Sequence, residues 1–117
     1  MSYVDGFVAA VQIENKEKFI EHAQYWAKIF KEYGALKVVE NWGIDVPDGE
    51  LTSFPLAVKK KEDETVVFSW IIWESKEAHE AAWAKLMVDE RMNSENMSMP
   101  FDGKRIIFGQ FETVVEE

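Results

Sequence analysis

Two histidines, two acids set in apolar segments and five tryptophans are the side chains of this sequence best suited to chemistry or ligand binding. His79-Glu80-Ala-Ala-Trp83 has the first half of a helical zinc-protease signature, but Trp stands where the second His ligand belongs. Two ligands therefore cannot converge from one helix face, and that chemistry is excluded. His22 and His79 fall in helices expected to be neighbours, and Glu17, Glu21 or Glu80 would complete a mixed His/carboxylate metal site. The plainer reading is that each His packs on the Trp one turn later, Trp26 or Trp83, without a ligand. No metal or cofactor is therefore expected.

Asp5 and Glu40 each interrupt an otherwise apolar segment, where an unpaired charge is costly. The preferred reading pairs them with Lys37, Lys104 or Arg105, or turns them to a sheet edge. The functional reading is a pocket carboxylate with a raised pKa, able to act as general base or ligand anchor. Aromatic faces between helices and sheet suit a flat organic molecule. Trp26 and Trp70 sit where large core residues are ordinary, whereas Trp42 and Trp73 are placed for a pocket mouth. The ligand-binding candidates are Asp5, His22, Glu40, Trp42, Trp70, Trp73 and His79, and no residue is assigned as catalytic. The sequence has no Cys, no Gly-x-Ser-x-Gly elbow and no nucleotide-binding glycine loop. Lys59-Lys-Lys61 is followed at once by Glu62-Asp-Glu64 and reads as a solvated turn.

The elements that must position these residues are short. Tyr3–Ile13 is a Val-, Ile- and Phe-containing run too brief for a free helix, so a strand is predicted. Asn15 is the expected N-cap of a helix whose apolar stripe is Phe19, Ala23, Trp26, Phe30 and Tyr33, with Gly34 as its stop. Leu36–Ile44 is a second strand, Asp45-Val-Pro-Asp-Gly49 a turn, and Thr52–Lys61 ambiguous because of Pro55. Glu64–Trp73 is the clearest strand. Ser75 caps a second helix running to about Val88, Asp89 is placed to cap a further turn, and Asn93–Pro100 reads as a loop. Arg105–Val115 closes the chain as a last strand.

The order βαββαβ predicts one ferredoxin-like α+β domain over residues 1–117, an antiparallel sheet in order 4-1-3-2 with both helices on one face. A weak internal repeat agrees, since His22-x-x-x-Trp26-Ala-Lys recurs as His79-x-x-x-Trp83-Ala-Lys. Strands 1 and 3 do not alternate: Val66, Phe68, Trp70 and Ile72 fill one face, Val67, Ile71 and Trp73 the other. Two helices cover one face only. A homodimer packed sheet to sheet, a dimeric α+β barrel, is the expected cover for the second. The alternative is that Thr52–Lys61 and the Asn93–Pro100 loop fold across it.

Tyr3-Val-Asp-Gly-Phe-Val, Gly34-Ala-Leu-Lys-Val-Val-Glu40-x-Trp42-Gly43, Asp45-Val-Pro-Asp-Gly49, Asp63-Glu-Thr-Val-Val-Phe-Ser-Trp70 and Met99-Pro-Phe-Asp-Gly-Lys-Arg105 with Phe111-Glu112 carry a resemblance. Through them nearly the whole chain resembles the YbaA-like family of uncharacterised bacterial proteins, domain-of-unknown-function family 1428. The resemblance implies the dimeric α+β barrel and supplies no activity. Asp89-Glu-Arg-Met92 departs from the family's Asp-Pro-Arg-Met, which puts the end of the second helix in question. More distantly, Trp73-x-Ser75-x-x-Ala78 looks like the strand-to-helix junction of antibiotic-biosynthesis monooxygenases and haem-degrading enzymes, an analogy of fold alone.

With 117 residues, 22 acidic against 13 basic side chains and a net charge of −9, nucleic acid is excluded as a partner. Absent cysteine removes disulfide, thiol and iron–sulfur chemistry. The N-terminus shows neither signal peptide nor membrane span, so a cytoplasmic location is expected. The leading expectation is a homodimer holding a hydrophobic or aromatic small molecule between sheet and helices, with an activity like that of cofactor-free monooxygenases left open. The alternative is a non-catalytic binding or stress-related accessory module whose core is filled.

Overall fold

All ten residues of the central β3, Glu64–Trp73, pair with β1, Tyr3–Gln12, on one side, and six of them, residues 67–72, pair with β2, Lys37–Trp42, on the other. The last strand, β4 (Ile107–Glu112), pairs with β1, giving the antiparallel order β2-β3-β1-β4. The computed structural model describes residues 2–92 and 99–117. Helix α1 (Lys16–Glu32) joins β1 to β2, and α3 (Lys76–Leu86) follows β3. The fold is α+β and ferredoxin-like, with the predicted strand order. No described helix is long and apolar enough to cross a membrane.

Strand parity divides the core, because successive side chains point to opposite faces. Ala9, Val11 and Val67 pack on Phe19 of α1, and Ile71 and Trp73 on Ala82 of α3, so odd-numbered residues of β1 and β3 face the helices. Trp26 and Ile29 of α1 meet Leu86 of α3 above them. On the other face Val8, Ala10 and Val66 pack against Val58, with Val46 beside them.

That second cluster shows what the ambiguous segment does. Within residues 52–61, Ser53 caps a short helix, α2 (Phe54–Ala57), with Pro55 in its first turn, where the missing N–H costs nothing. Val58 is fully buried and Phe54 lies on Phe68, ring centroids 5.7 Å apart. The segment thus covers one end of the second face. Beside it Phe68 is still 43% exposed, and towards the other end Phe111, on β4, is 60% exposed. The expected loop at 93–100 lies largely outside the described residues.

Local details correct some boundaries. Asn15 does not cap α1: a 3-10 turn, Ile13–Asn15, precedes the helix, and the Asn15 amide instead donates to the Gln12 carbonyl oxygen Oε1 at 3.0 Å. Gly34 does end it, in the left-handed region at φ 109°. Ser75 caps α3 by accepting from the Ala78 N–H, and that helix stops at Leu86, two residues short of expectation. The Glu90 departure therefore falls beyond the helix end. It opens a 3-10 turn, Glu90–Met92, where the Asp89 carboxylate accepts from the Arg91 backbone N–H at 2.8 Å. Tyr33 donates to the same carboxylate, and Arg91 also pairs with Glu32, so the chain after α3 is tied to the end of α1. Arg105 is held likewise by Glu64, both guanidinium–carboxylate contacts being 2.7 Å. These ties fix Met92, Phe101 and Ile106, three residues that reach the site.

Candidate functional site

Asp5 faces the helices at the centre of the sheet and is only 5% exposed. Its Oδ1 lies 2.9 Å from His79 Nε2, and its Oδ2 accepts from the Trp73 indole at 2.9 Å and the Trp83 indole at 3.3 Å. A carboxylate only accepts, so the hydrogen-bond network assigns the Nε2 proton to His79. Three donors converge on one buried charge, which replaces the water it lost. Tyr3 packs edge-on against the His79 ring, whose Nδ1 is buried with no partner among the described residues.

Beside this cluster, between α1 and the helix-facing side of the sheet, lies a cavity of about 230 Å³. Its floor is Phe7, Ala9, Val67, Ser69 and Ile71, and its roof Phe19, His22, Ala23, Trp26 and Phe30 of α1. Trp83 closes the α3 side, Met92, Met99, Phe101 and Ile106 the side of the returning chain, and Glu40 reaches in from β2. Among the described residues the lining is apolar but for three side chains, and alanines at 9 and 23 leave room where sheet and helix would otherwise touch.

Those three polar groups are His22, Glu40 and Ser69. Burial pushes the His22 imidazole below its ordinary pKa, and its Nε2 has no partner among the described residues. Its ring meets Phe101 edge-on and tilts towards Trp26. Glu40 is open to water along the edge strand, but desolvation of its carboxyl raises the pKa, offset in part by the hydrogen bond from the Ser69 hydroxyl. A neutral imidazole and a desolvated carboxyl beside one apolar space are groups able to take a proton from a bound molecule. Glu40 also borders a groove between α1 and β2, where Trp42 packs on Phe19 with Lys16 Nζ 5.5 Å from its ring.

The seven sequence candidates therefore separate. His22 and Glu40 share the cavity; Trp42 lines the adjoining groove; Asp5, His79 and Trp73 form the buried cluster behind Trp83. Trp70 is on the opposite face of the sheet, against Phe68, and takes no part. Trp73 is 0% exposed and stands at no pocket mouth. The expected ion pairs of Asp5 and Glu40 with Lys37, Lys104 or Arg105 do not form among the described residues; Arg105 serves Glu64 and Asp102 instead. Nor do the histidines join: no cluster of three possible metal ligands exists among the described residues. Each does tilt onto its Trp, at 6.5 Å for His22 and 6.1 Å for His79. Sequence reasoning missed Ser69, and treated Trp26 as core and Trp83 only as a His partner. The odd parity of Ser69 on β3, the same as that of Trp73, was the available signal.

A family model described as "Protein of unknown function (DUF1428)" matches residues 2–103. The chain is 54% identical over 117 residues to the uncharacterised protein YbaA of Escherichia coli K12, covering all of both chains, and equally to that of Shigella flexneri. Among solved structures, a dimeric ferredoxin-like protein from an uncultured marine organism matches with a TM-score of 0.62 at 18% identity, covering 100% of both chains. At that identity the likeness is one of fold.

Proposed function

The chain belongs to the DUF1428 family, and we propose that it binds a hydrophobic, ring-containing small molecule in the cavity between α1 and the sheet. The observation that carries this is the cavity itself, an apolar space of about 230 Å³ with His22, Glu40 and Ser69 on its wall. An apolar cavity of roughly 150 Å³ already holds benzene, so this one has room for a substituted ring. Few convergent polar groups on an apolar lining are the usual form of a small-molecule site. The filled-core alternative is disfavoured by the same space.

The test uses one-ring aromatic probes, starting with toluene, titrated while the indole N–H resonances are followed. Saturable shifts at Trp26 and Trp83, lost in an Ala23→Phe variant with unchanged circular dichroism, are the expected result. Absence of any saturable shift overturns the reading.

The second part of the proposal is a homodimer through the opposite sheet face. Ile107 and Phe111, with the part of Phe68 that Phe54 of α2 leaves uncovered, form an exposed apolar area there. The marine ferredoxin-like relative in fold is itself described as dimeric. Sedimentation equilibrium at micromolar concentration is the test, a mass of one chain being the contrary outcome.

A further inference from the structure

We propose that the cavity selects apolar ring compounds carrying a neutral hydrogen-bond donor, such as a phenolic hydroxyl, and excludes aromatic carboxylates. The inference rests on the cavity reading above and narrows it to a ligand class. Its basis is an inventory of what the wall offers. The Ser69 hydroxyl hydrogen is given to Glu40 Oε2, so it is not free for a ligand. An ionised Glu40 carboxylate accepts and cannot donate. His22 Nε2 is buried and unpartnered among the described residues. A buried N–H without an acceptor is rarer and costlier than a bare lone pair, which favours the tautomer with Nε2 as the acceptor nitrogen. The wall thus presents acceptors that need a donor.

The charge pattern points the same way. Among the described residues no Lys or Arg lines the cavity. The cation that comes near is Lys16, in the neighbouring groove with its ammonium over the Trp42 ring. A carboxylate ligand in this apolar space would lie beside Glu40 with no cation on the described lining to offset it, and like charges at short range repel. A hydroxyl faces no such opposition, since its proton has two places to go.

Three probes on one ring frame separate the possibilities: 4-methylphenol, 1,4-dimethylbenzene and 4-methylbenzoate, titrated into the full chain at neutral pH and followed on the indole N–H resonances. The phenol should bind roughly tenfold tighter than the dimethyl compound, the worth of one buried hydrogen bond gained, while the benzoate should not saturate. His22→Phe should bring the phenol preference towards unity, and Glu40→Gln should weaken the exclusion of benzoate. Equal binding of phenol and dimethylbenzene, or preferential binding of benzoate, overturns the inference and leaves the cavity reading standing. Discrimination unchanged in both variants overturns it as well, because other groups would then be reading the ligand. Failure of all three probes overturns the cavity reading and this inference with it.

Discussion

Trp83 donates its indole N–H to Asp5 across 3.3 Å while the same ring closes one side of the cavity. The buried carboxylate therefore holds a wall of the site without touching what the site contains. Removing it leaves two indole donors and His79 without their acceptor. Asp5→Ala should cost about 3–5 kcal/mol of unfolding free energy, the range for breaking a buried charged network by deleting one partner. Asp5→Asn, which keeps one acceptor oxygen, should lose less. Urea unfolding followed by Trp fluorescence measures both, and an alanine loss below about 1 kcal/mol would contradict a three-donor carboxylate.

Glu40 makes the opposite kind of contribution. Desolvation raises its pKa in the folded state, so the fold binds its proton more tightly than the unfolded chain does. Stability from this group is present below the ordinary Glu pKa and falls as pH rises through the elevated one. Glu40→Gln should therefore raise the melting temperature at pH 7 and leave it nearly unchanged near pH 4. A variant less stable than wild type at neutral pH would show that the carboxylate is better solvated than its surroundings indicate.

Glu64 titrates in the other direction. The Arg105 guanidinium holds its pKa down from 4.5 to about 2, with the Lys61 backbone N–H assisting. The stabilisation is complete above about pH 4.5 and is lost as pH falls towards about 2. Melting temperatures of wild type and Glu64→Gln should differ at pH 7 and converge at the acid end. Parallel curves across the whole range would remove Glu64 from the acid limb.

For the second sheet face, Phe111→Asp or Phe68→Asp should yield a monomer by sedimentation with the secondary structure retained. Phe111 is 60% exposed in the single chain, so a charge there costs the protomer little, whereas Phe68 at 43% also gives up its packing on Phe54 and Trp70. A dimer that survives both substitutions would move the interface elsewhere.

The strands were legible because continuous apolar runs leave few readings. Glu64–Trp73 fell on its predicted bounds, and its unbroken pattern showed that both sheet faces needed cover. Asp5 and Glu40 were visible as acids out of place, since burial makes such residues conspicuous. Their partners were not visible: Trp73, His79 and Trp83 lie 68, 74 and 78 residues from Asp5, and only the β1–β3 register brings them together. The repeated His–Trp pairs show the same limit. His79 meets a carboxylate and His22 an empty space, a difference set by what each helix crosses rather than by the motif. Asn15 failed as a cap because the chain enters α1 through a 3-10 turn, an entry its local residues do not announce.

The two-faced sheet has a consequence for how the chain finds its pairing. In a sheet with one wet face, slippage by a single residue is punished because every apolar side chain turns to water. Here β3 would present Phe68, Trp70 and Ile72 in place of Val67, Ser69 and Ile71, and greasiness alone would scarcely notice the error. Asp5 supplies the missing penalty: with β1 one step out of place, it would leave the indoles and imidazole that hydrogen-bond it and enter the opposite face bare. The polar atoms buried among the aromatics thus act as the chain's proofreaders, rejecting misaligned strands that hydrophobicity would accept.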